Sequence, residues 1–391
     1  MNEEGLYSEL KNILDYWSDQ VFDQKSGLFV GRIDNSGKVY PEAPLGSVLY
    51  ARILWSFSAG YAFTKNIIYK ERAVQAYRAL KSHFFDAKNG GVYWSVLPDG
   101  TPLNKRKQIY AQAFGIYALA EFYKIEASED VLNDAISLFE LIERYSYDKE
   151  EGGYLDAFNQ DWLPIEDMRL SEKDLNAAKT MNTHLHLLEA YSNLYSIHKS
   201  PILKRQINAL LEIFLTKIIH PRKKHLQLFF NAQWRPLSSV QSYGHDIEAS
   251  WLLMEAAERI DKKNIPEDLV EACNGLGLKS LEGLLEDCSL ANEKEGEEIN
   301  KERHWWVQSE ALVGFYCMGL RTNSLPYVQI VESLWDYIQR EIKDTNKGEW
   351  FWGRDENGNI LQNQDKVGMW KCPYHNSRAC LELLKYFSEP K

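Results

Sequence analysis

The sequence predicts an all-α protein: an (α/α)6 barrel of six inner and six outer helices, with short β-hairpins over the pocket. Three observations carry this. A turn signature recurs at a constant period, apolar helices alternate with charge-rich ones, and the apolar helices open on polar residues. The signature is an aspartate, three residues and a glycine ahead of an aromatic-rich strand, at Asp23 to Gly27, Asp86 to Gly90, Asp148 to Gly152 and Asp344 to Gly348. The first three stand about 62 residues apart and the last about three periods further on. Six units are therefore expected, two of them degenerate.

Each signature reads as a turn leading into a hairpin, as in GGVYWSVLPDG, where Asp99 and Gly100 close the turn. An apolar helix follows each hairpin: GSVLYARILWSFSAGY from Gly46, IYAQAFGIYALAEFY from Ile109, MNTHLHLLEAYSNLY from Met181, the helix at His245, WWVQSEALVGFY from Trp305 and HNSRACLELLKYF from His375. Between them run amphipathic helices at Leu6 to Val21, Asn66 to Phe84, Asp130 to Tyr145, Ile202 to Ile219, Pro266 to Leu285 and Pro326 to Ile342. A helix apolar all round is buried, and one with a polar stripe faces solvent, so the first set is inner and the second outer. An open superhelix of helix pairs would need end units with polar outer faces. The first and last inner helices are as apolar as the middle ones, so a closed barrel is expected. No Pro/Ser-rich linker divides the chain, which reads as one catalytic domain over 1–391.

The balance of 45 basic against 56 acidic residues gives a net charge of −11, which argues against nucleic acid and anionic membrane surfaces as partners. No apolar run approaches the roughly 20 residues of a membrane span. The start MNEEGLYSEL lacks the basic and apolar regions of a signal peptide. The five cysteines are odd in number and have no CxxC spacing, so they are expected to be reduced, in a cytoplasmic protein. A monomer is expected.

In a closed barrel the N-termini of the inner helices meet at one mouth. Their polar residues are Arg52, Tyr110, Asn182 with His186, His245 with Glu248, Trp305 with Trp306, and Trp370 with His375 and Arg378. Three of only nine histidines fall at these positions, more than composition predicts. In SYGHDIEASWLL, Gly244 reads as a permissive turn, with His245 and Glu248 on one helix face. His186 shares a face with Asn182, whereas His184, two residues earlier, points away, so HLH is no chelate. HExxH, cysteine–histidine clusters, GxxxxGK[ST] and GxGxxG are all absent, and neither a metal nor a cofactor is expected. A helix N-terminus holds His375 neutral, as a base near pH 7. Trp305, Trp306 and Trp370 suit the apolar faces of sugar rings, with Arg52, Asn182 and Glu248 bonding hydroxyls.

The motifs SYGHDIEASWLL, MNTHLHLLEAY, WWVQSEALVGF and GMWKCPYHNSRACLEL resemble those of the cellobiose 2-epimerases, in the N-acylglucosamine 2-epimerase superfamily. The resemblance runs in order over nearly the whole chain from Leu49. It implies an (α/α)6 barrel and a cofactor-free enzyme that inverts C2 of the reducing-end sugar of β-1,4-linked disaccharides. By motif, His245 and His375 match the family's acid/base pair and His186 its third essential histidine. Arg52, Tyr110, Asn182, Glu248, Trp306 and Trp370 match its substrate contacts.

Four rivals stand beside this reading. An aldose–ketose isomerase would share the enediolate but return the proton to C1. An N-acylglucosamine 2-epimerase would carry a shorter motif around the C-terminal histidine than WKCPYHNSR. An inverting glycoside hydrolase would need two carboxylates about 6.5 to 9.5 Å apart, from Asp246, Glu248 and Glu310, and would leave the histidines without a role. A sugar-binding barrel without catalysis would tolerate loss of His245 or His375.

Overall fold

The computed structural model describes residues 1–388; the last three residues of the expected 1–391 unit lie outside the described residues. The outer helices are α1 (Glu3–Tyr16), α3 (Ile67–Ala79), α5 (Glu129–Tyr145), α7 (Pro201–Ile213), α9 (Glu267–Ser280) and α11 (Leu325–Tyr337). The inner helices are α2 (Ser47–Thr64), α4 (Ile109–Tyr123), α6 (Met181–Ile197), α8 (Tyr243–Asp261), α10 (Trp305–Thr322) and α12 (Tyr374–Ser388). Each inner helix packs on the next around the ring, and α12 packs on both α2 and α1. The barrel is therefore closed, and the open superhelix is excluded. No described helix is long and apolar enough to cross a membrane.

Why the inner helices sit inside follows from their composition. In α4 all but two residues are buried, whereas α5 buries only the stripe Val131, Asp134, Ala135, Leu138, Phe139 and Ile142. Such a stripe, spaced at three and four residues, is one face of a helix laid on the core. Among the described residues the strands are short and antiparallel, in four two-stranded and two three-stranded sheets, and lie in the segments between the end of an outer helix and the start of an inner one.

The turn signature closes as the sequence implies. Gly90 donates its N–H to the Asp86 carbonyl at 2.8 Å with φ +72°, while the Asp86 carboxylate accepts the N–H groups of Lys88 and Asn89. The fourth unit keeps the shape with other residues: Lys224 takes positive φ (57°), and His220 Nδ1 accepts from Arg222 and Lys223 in place of a carboxylate. In the fifth, Cys288 occupies the left-handed position. Buried lysines then pair with the signature aspartates, Lys107 with Asp86 at 2.9 Å and Lys179 with Asp148 at 2.8 Å. Removing one partner of such a buried pair costs about 3–5 kcal/mol.

One helical register organises the mouth. In five inner helices the fourth residue turns outward and pins the preceding hairpin. Tyr50 donates to the Phe29 carbonyl, Gln112 bonds both N–H and C=O of Val92, and His184 accepts from Tyr154 N–H. Asp246 accepts from Leu226 N–H, and Gln308 bonds both backbone groups of Leu290. These pins join residues 18 to 30 apart in the chain. The ring is sealed differently, by Trp350 Nε1 to Glu9 at 2.8 Å and Trp17 Nε1 to Glu349 at 2.5 Å, across 341 and 332 residues.

Candidate active site

Two residues after each pin the side chain points inward again, because positions two and six of a helix share the face opposite position four. The sixth residues are Arg52, Phe114, His186, Glu248 and Glu310, and the second residues above them include Tyr110, Asn182, Trp306 and His375. One layer floors the site and the other walls it. His245, third in α8, leans over the same space.

The three predicted histidines share one design. His186 Nδ1 meets Glu189 Oε2 at 2.8 Å, His375 Nδ1 meets Glu310 Oε1 at 2.7 Å, and His245 Nδ1 meets the Oγ of its own N-cap, Ser242, at 2.8 Å. With Nδ1 engaged in this way, each ring has its Nε2 left for a ligand. Trp306 touches two of them, its ring centroid 4.7 Å from His245 and 5.9 Å from His375. Tyr110 and Phe114 pack on His186 at 5.1 and 4.8 Å.

All three imidazoles are held neutral at pH 7. Burial lowers His245 to about 3, with the neighbouring His186 adding to it. Burial, then Arg52 and Arg378, push His375 well below its ordinary value. His186 is lowered by burial against the opposing pull of Glu189. The expected direction is right, but the leading cause is desolvation rather than the helix terminus.

Beneath His375 lies a buried charge cluster. Arg378 reaches Glu248 Oε1 at 2.8 Å and Glu310 Oε1 at 2.6 Å through one nitrogen, and Glu189 and Tyr374 through the other. Trp251 Nε1 adds a bond to Glu310 at 3.2 Å. Burial opposes ionisation of Glu189, but Arg378 and His186 outweigh it and hold that carboxyl near 2. Glu248 moves the other way, raised by burial and by the Glu310 charge.

This cluster bears on two alternatives. Glu248, Glu310 and His375 bring ligand atoms within 4.8 Å of one another, as three ligands to a metal would. The Arg378 guanidinium already bonds both carboxylates, so a fixed positive charge stands where a cation would go. Glu248 and Glu310 bond the same Arg378 nitrogen, so they do not flank the open space for water that an inverting hydrolase needs between its two carboxylates. Asp246, the third carboxylate considered for hydrolysis, is committed to Leu226.

The remaining predicted residues divide. Arg52 donates to Tyr110 Oη at 2.8 Å and lies over the Phe114 ring at 4.2 Å. Trp370, in the loop before α12, packs on Trp94 and Tyr110 at 5.8 and 5.9 Å. A pocket of about 720 Å³ opens above, and of the predicted residues Asn182, His245 and Trp306 line it. His186, His375, Arg52, Tyr110, Glu248 and Trp370 are not among its lining residues. The Asn182 Oδ1 is buried without a partner.

Four expectations are corrected. Trp305 is no sugar wall: it is 2% exposed, its ring against Trp352 at 4.6 Å and under Lys371 at 5.2 Å. Arg378 and Glu248, also expected to touch substrate, are each 1% exposed and bonded to each other, Arg378 being taken up by Glu189 and Glu310 as well. Gly244 lies inside α8, not in a turn; a Cβ there would meet the Trp306 ring at 2.6 Å. The partners Glu189, Ser242 and Tyr374 were not foreseen. The signals in the sequence are the three-residue spacings of His186 with Glu189 and of the N-cap Ser242 with His245.

Residues 27–379 match the family model described as N-acylglucosamine 2-epimerase (GlcNAc 2-epimerase). The chain is 43% identical over 374 residues to the cellobiose 2-epimerase of Bacteroides fragilis, covering 95% of each chain. It is 37% identical over 382 residues to that of Dictyoglomus turgidum, covering 97% of each. The structure of cellobiose 2-epimerase from Bacillus thermoamylovorans B4167 superposes with a TM-score of 0.93 at 37% identity, over 98% of this chain and 100% of that one.

Proposed function

The chain belongs to the N-acylglucosamine 2-epimerase family, beside its cellobiose 2-epimerases, and from that premise we propose that it inverts C2 of the reducing-end sugar of β-1,4-linked disaccharides. The conversions covered are cellobiose to glucosylmannose, lactose to epilactose and mannobiose to mannosylglucose. The observation that carries the reading is the pair His245 and His375, both in ring contact with Trp306 and each anchored at Nδ1.

The chemistry asks for that arrangement. Once the ring opens, C2–H lies α to the C1 carbonyl and leaves as a proton, giving a planar enediolate. Inversion requires the proton to leave one face and a proton to return to the other. In this reading one of His375 and His245, neutral, takes the C2 proton on Nε2, while the other, having first taken up a proton from water, delivers it from Nε2 to the opposite face. Each is reset by exchange with water, and the roles swap with the direction of reaction. A neutral imidazole is ready to accept, and the enediolate's negative charge raises its proton affinity as the reaction proceeds. His186 and Arg52 hold O1 or O2 while charge develops there. The Trp306 ring supplies the apolar face on which the sugar rests.

Incubation with cellobiose in D₂O containing EDTA, followed by NMR of the reducing-end protons, tests this. Glucosylmannose should form with deuterium at C2 and no free glucose, and the EDTA should have no effect. Released glucose would mean hydrolysis, and inertness toward cellobiose, lactose and mannobiose would end the disaccharide reading.

A further inference from the structure

Arg378 is the meeting point of four inner helices. It rises from α12, and the carboxylates it binds come from α6 (Glu189), α8 (Glu248) and α10 (Glu310). Two of these are the groups that anchor imidazoles: Glu189 holds His186 and Glu310 holds His375. The two histidines stand on different walls and share no bond, yet their anchors share one guanidinium. Tyr374, beside His375 in sequence, donates to the same Glu189 oxygen that Arg378 binds, closing the network.

We propose that Arg378 is a positioning residue that fixes His186 and His375 relative to each other, by tying together the carboxylates that orient them, without touching the sugar. This rests on the epimerase reading for its catalytic consequence but not for its geometry. The guanidinium suits the task because its planar fork offers several N–H donors in fixed directions. A lysine keeps the charge but offers only a point contact. Each anchoring carboxylate accepts from Nδ1–H and so leaves Nε2 with its lone pair, the form a base requires. The clamp therefore governs both placement and tautomer. Placement also governs product: an enediolate reprotonated at C1 instead of C2 gives a ketose, so a loosened His375 should raise the ketose share.

The test is Arg378→Lys, read in two ways. In disaccharide turnover, kcat should fall about 100-fold, as for a misplacement near 1 Å, with KM changed less than about threefold and the ketose fraction raised. A raised KM with kcat intact would make Arg378 a sugar contact and overturn the proposal. Independently of turnover, ¹⁵N spectra of the imidazoles should show His186 and His375 as Nδ1–H tautomers in the native protein, and both patterns should be disturbed in the variant. Unchanged patterns overturn the clamp, even if the native chain proves inactive on disaccharides. If Arg378→Lys fails to fold, Glu189→Gln replaces it: the amide still reaches His186 but lacks the charge that holds Arg378. The signal of His375, on another helix, should then shift; a shift confined to His186 overturns the proposal.

Discussion

The ring of fourth residues and the ring of sixth residues are built from the same chemistry and do different work. His184 and His186, Asp246 and Glu248, and Gln308 and Glu310 are pairs two positions apart on the same helices, all six buried. The outer member of each pair is satisfied locally: His184 gives Nδ1 to the Thr180 carbonyl and takes Tyr154 N–H on Nε2, so both ring nitrogens are spent on backbone. Of the inner members, Glu248 and Glu310 are satisfied across the barrel by Arg378 of α12, while His186 spends only Nδ1, on Glu189 of its own helix, and keeps Nε2 in reserve. Burial alone does not mark a functional group; an incompletely spent one does.

The sharpest way to break this contrast is to remove the histidines that keep Nε2 free. His375→Ala or His245→Ala should lower kcat by about a thousandfold or more in the cellobiose assay, with the fold retained by circular dichroism. Catalysis surviving either change would leave the two-base scheme without support. Next comes the adjacent pair itself. His186→Ala should cost about 100-fold in kcat with little loss of stability. His184→Ala should cost about 2–3 kcal/mol in denaturant unfolding, since it orphans a buried N–H and a carbonyl, with kcat of the folded protein nearly unchanged. Reversed effects would mean that the two rings had been assigned the wrong way round.

Acid titration sharpens the comparison further. Burial lowers His184 to about 4 against an ordinary 6.5, so between those values the unfolded chain binds a proton that the folded one does not. Its contribution to stability is full above pH 6.5 and is lost as pH falls toward 4, roughly 3 kcal/mol by linkage. Unfolding midpoints measured at pH 7.5, 5.5 and 4.5 should fall less steeply in His184→Gln than in the native chain. Smaller still, Trp306→Leu should raise KM about five- to tenfold, as for loss of an aromatic stacking surface, with kcat changed less. The smallest effect is expected of Ser242→Ala, which removes both an N-cap and the neutral anchor of His245. About 1 kcal/mol of stability should go, with a few-fold drop in kcat.

The architecture was legible because periodicity is local information. The signature aspartates, the alternation of apolar and amphipathic stretches and the polar helix starts placed all twelve helices and brought the three histidines to one mouth. Two units read as degenerate because other residues fill the turn: in the fourth, His220 and Lys224 meet the same demands as aspartate and glycine without resembling them, and in the fifth Cys288 takes the left-handed position. Pairings across the ring were equally out of reach: Arg378 with Glu189 spans 189 residues, and no spacing rule reaches so far. Trp305 was misplaced for a related reason. It and Trp306 are adjacent on a helix, and nothing in a WW pair says which ring lines the pocket and which packs on Trp352. Gly244 was read for its backbone freedom, when what it provides is room for its neighbour's indole.

The unequal spans of the pins and the seam order the events of folding. A pin closes a loop of 18 to 30 residues, whereas the seam between Trp17, Glu9, Glu349 and Trp350 closes more than 330. Loop-closure entropy makes the seam costlier by roughly 2 kcal/mol, and its contacts exist only once the units between are stacked. Each helix–hairpin–helix unit can thus nucleate by itself, and the circle is drawn shut last. The two seam tryptophans sit at that final junction, so their burial is an intrinsic clock for the completion of the barrel.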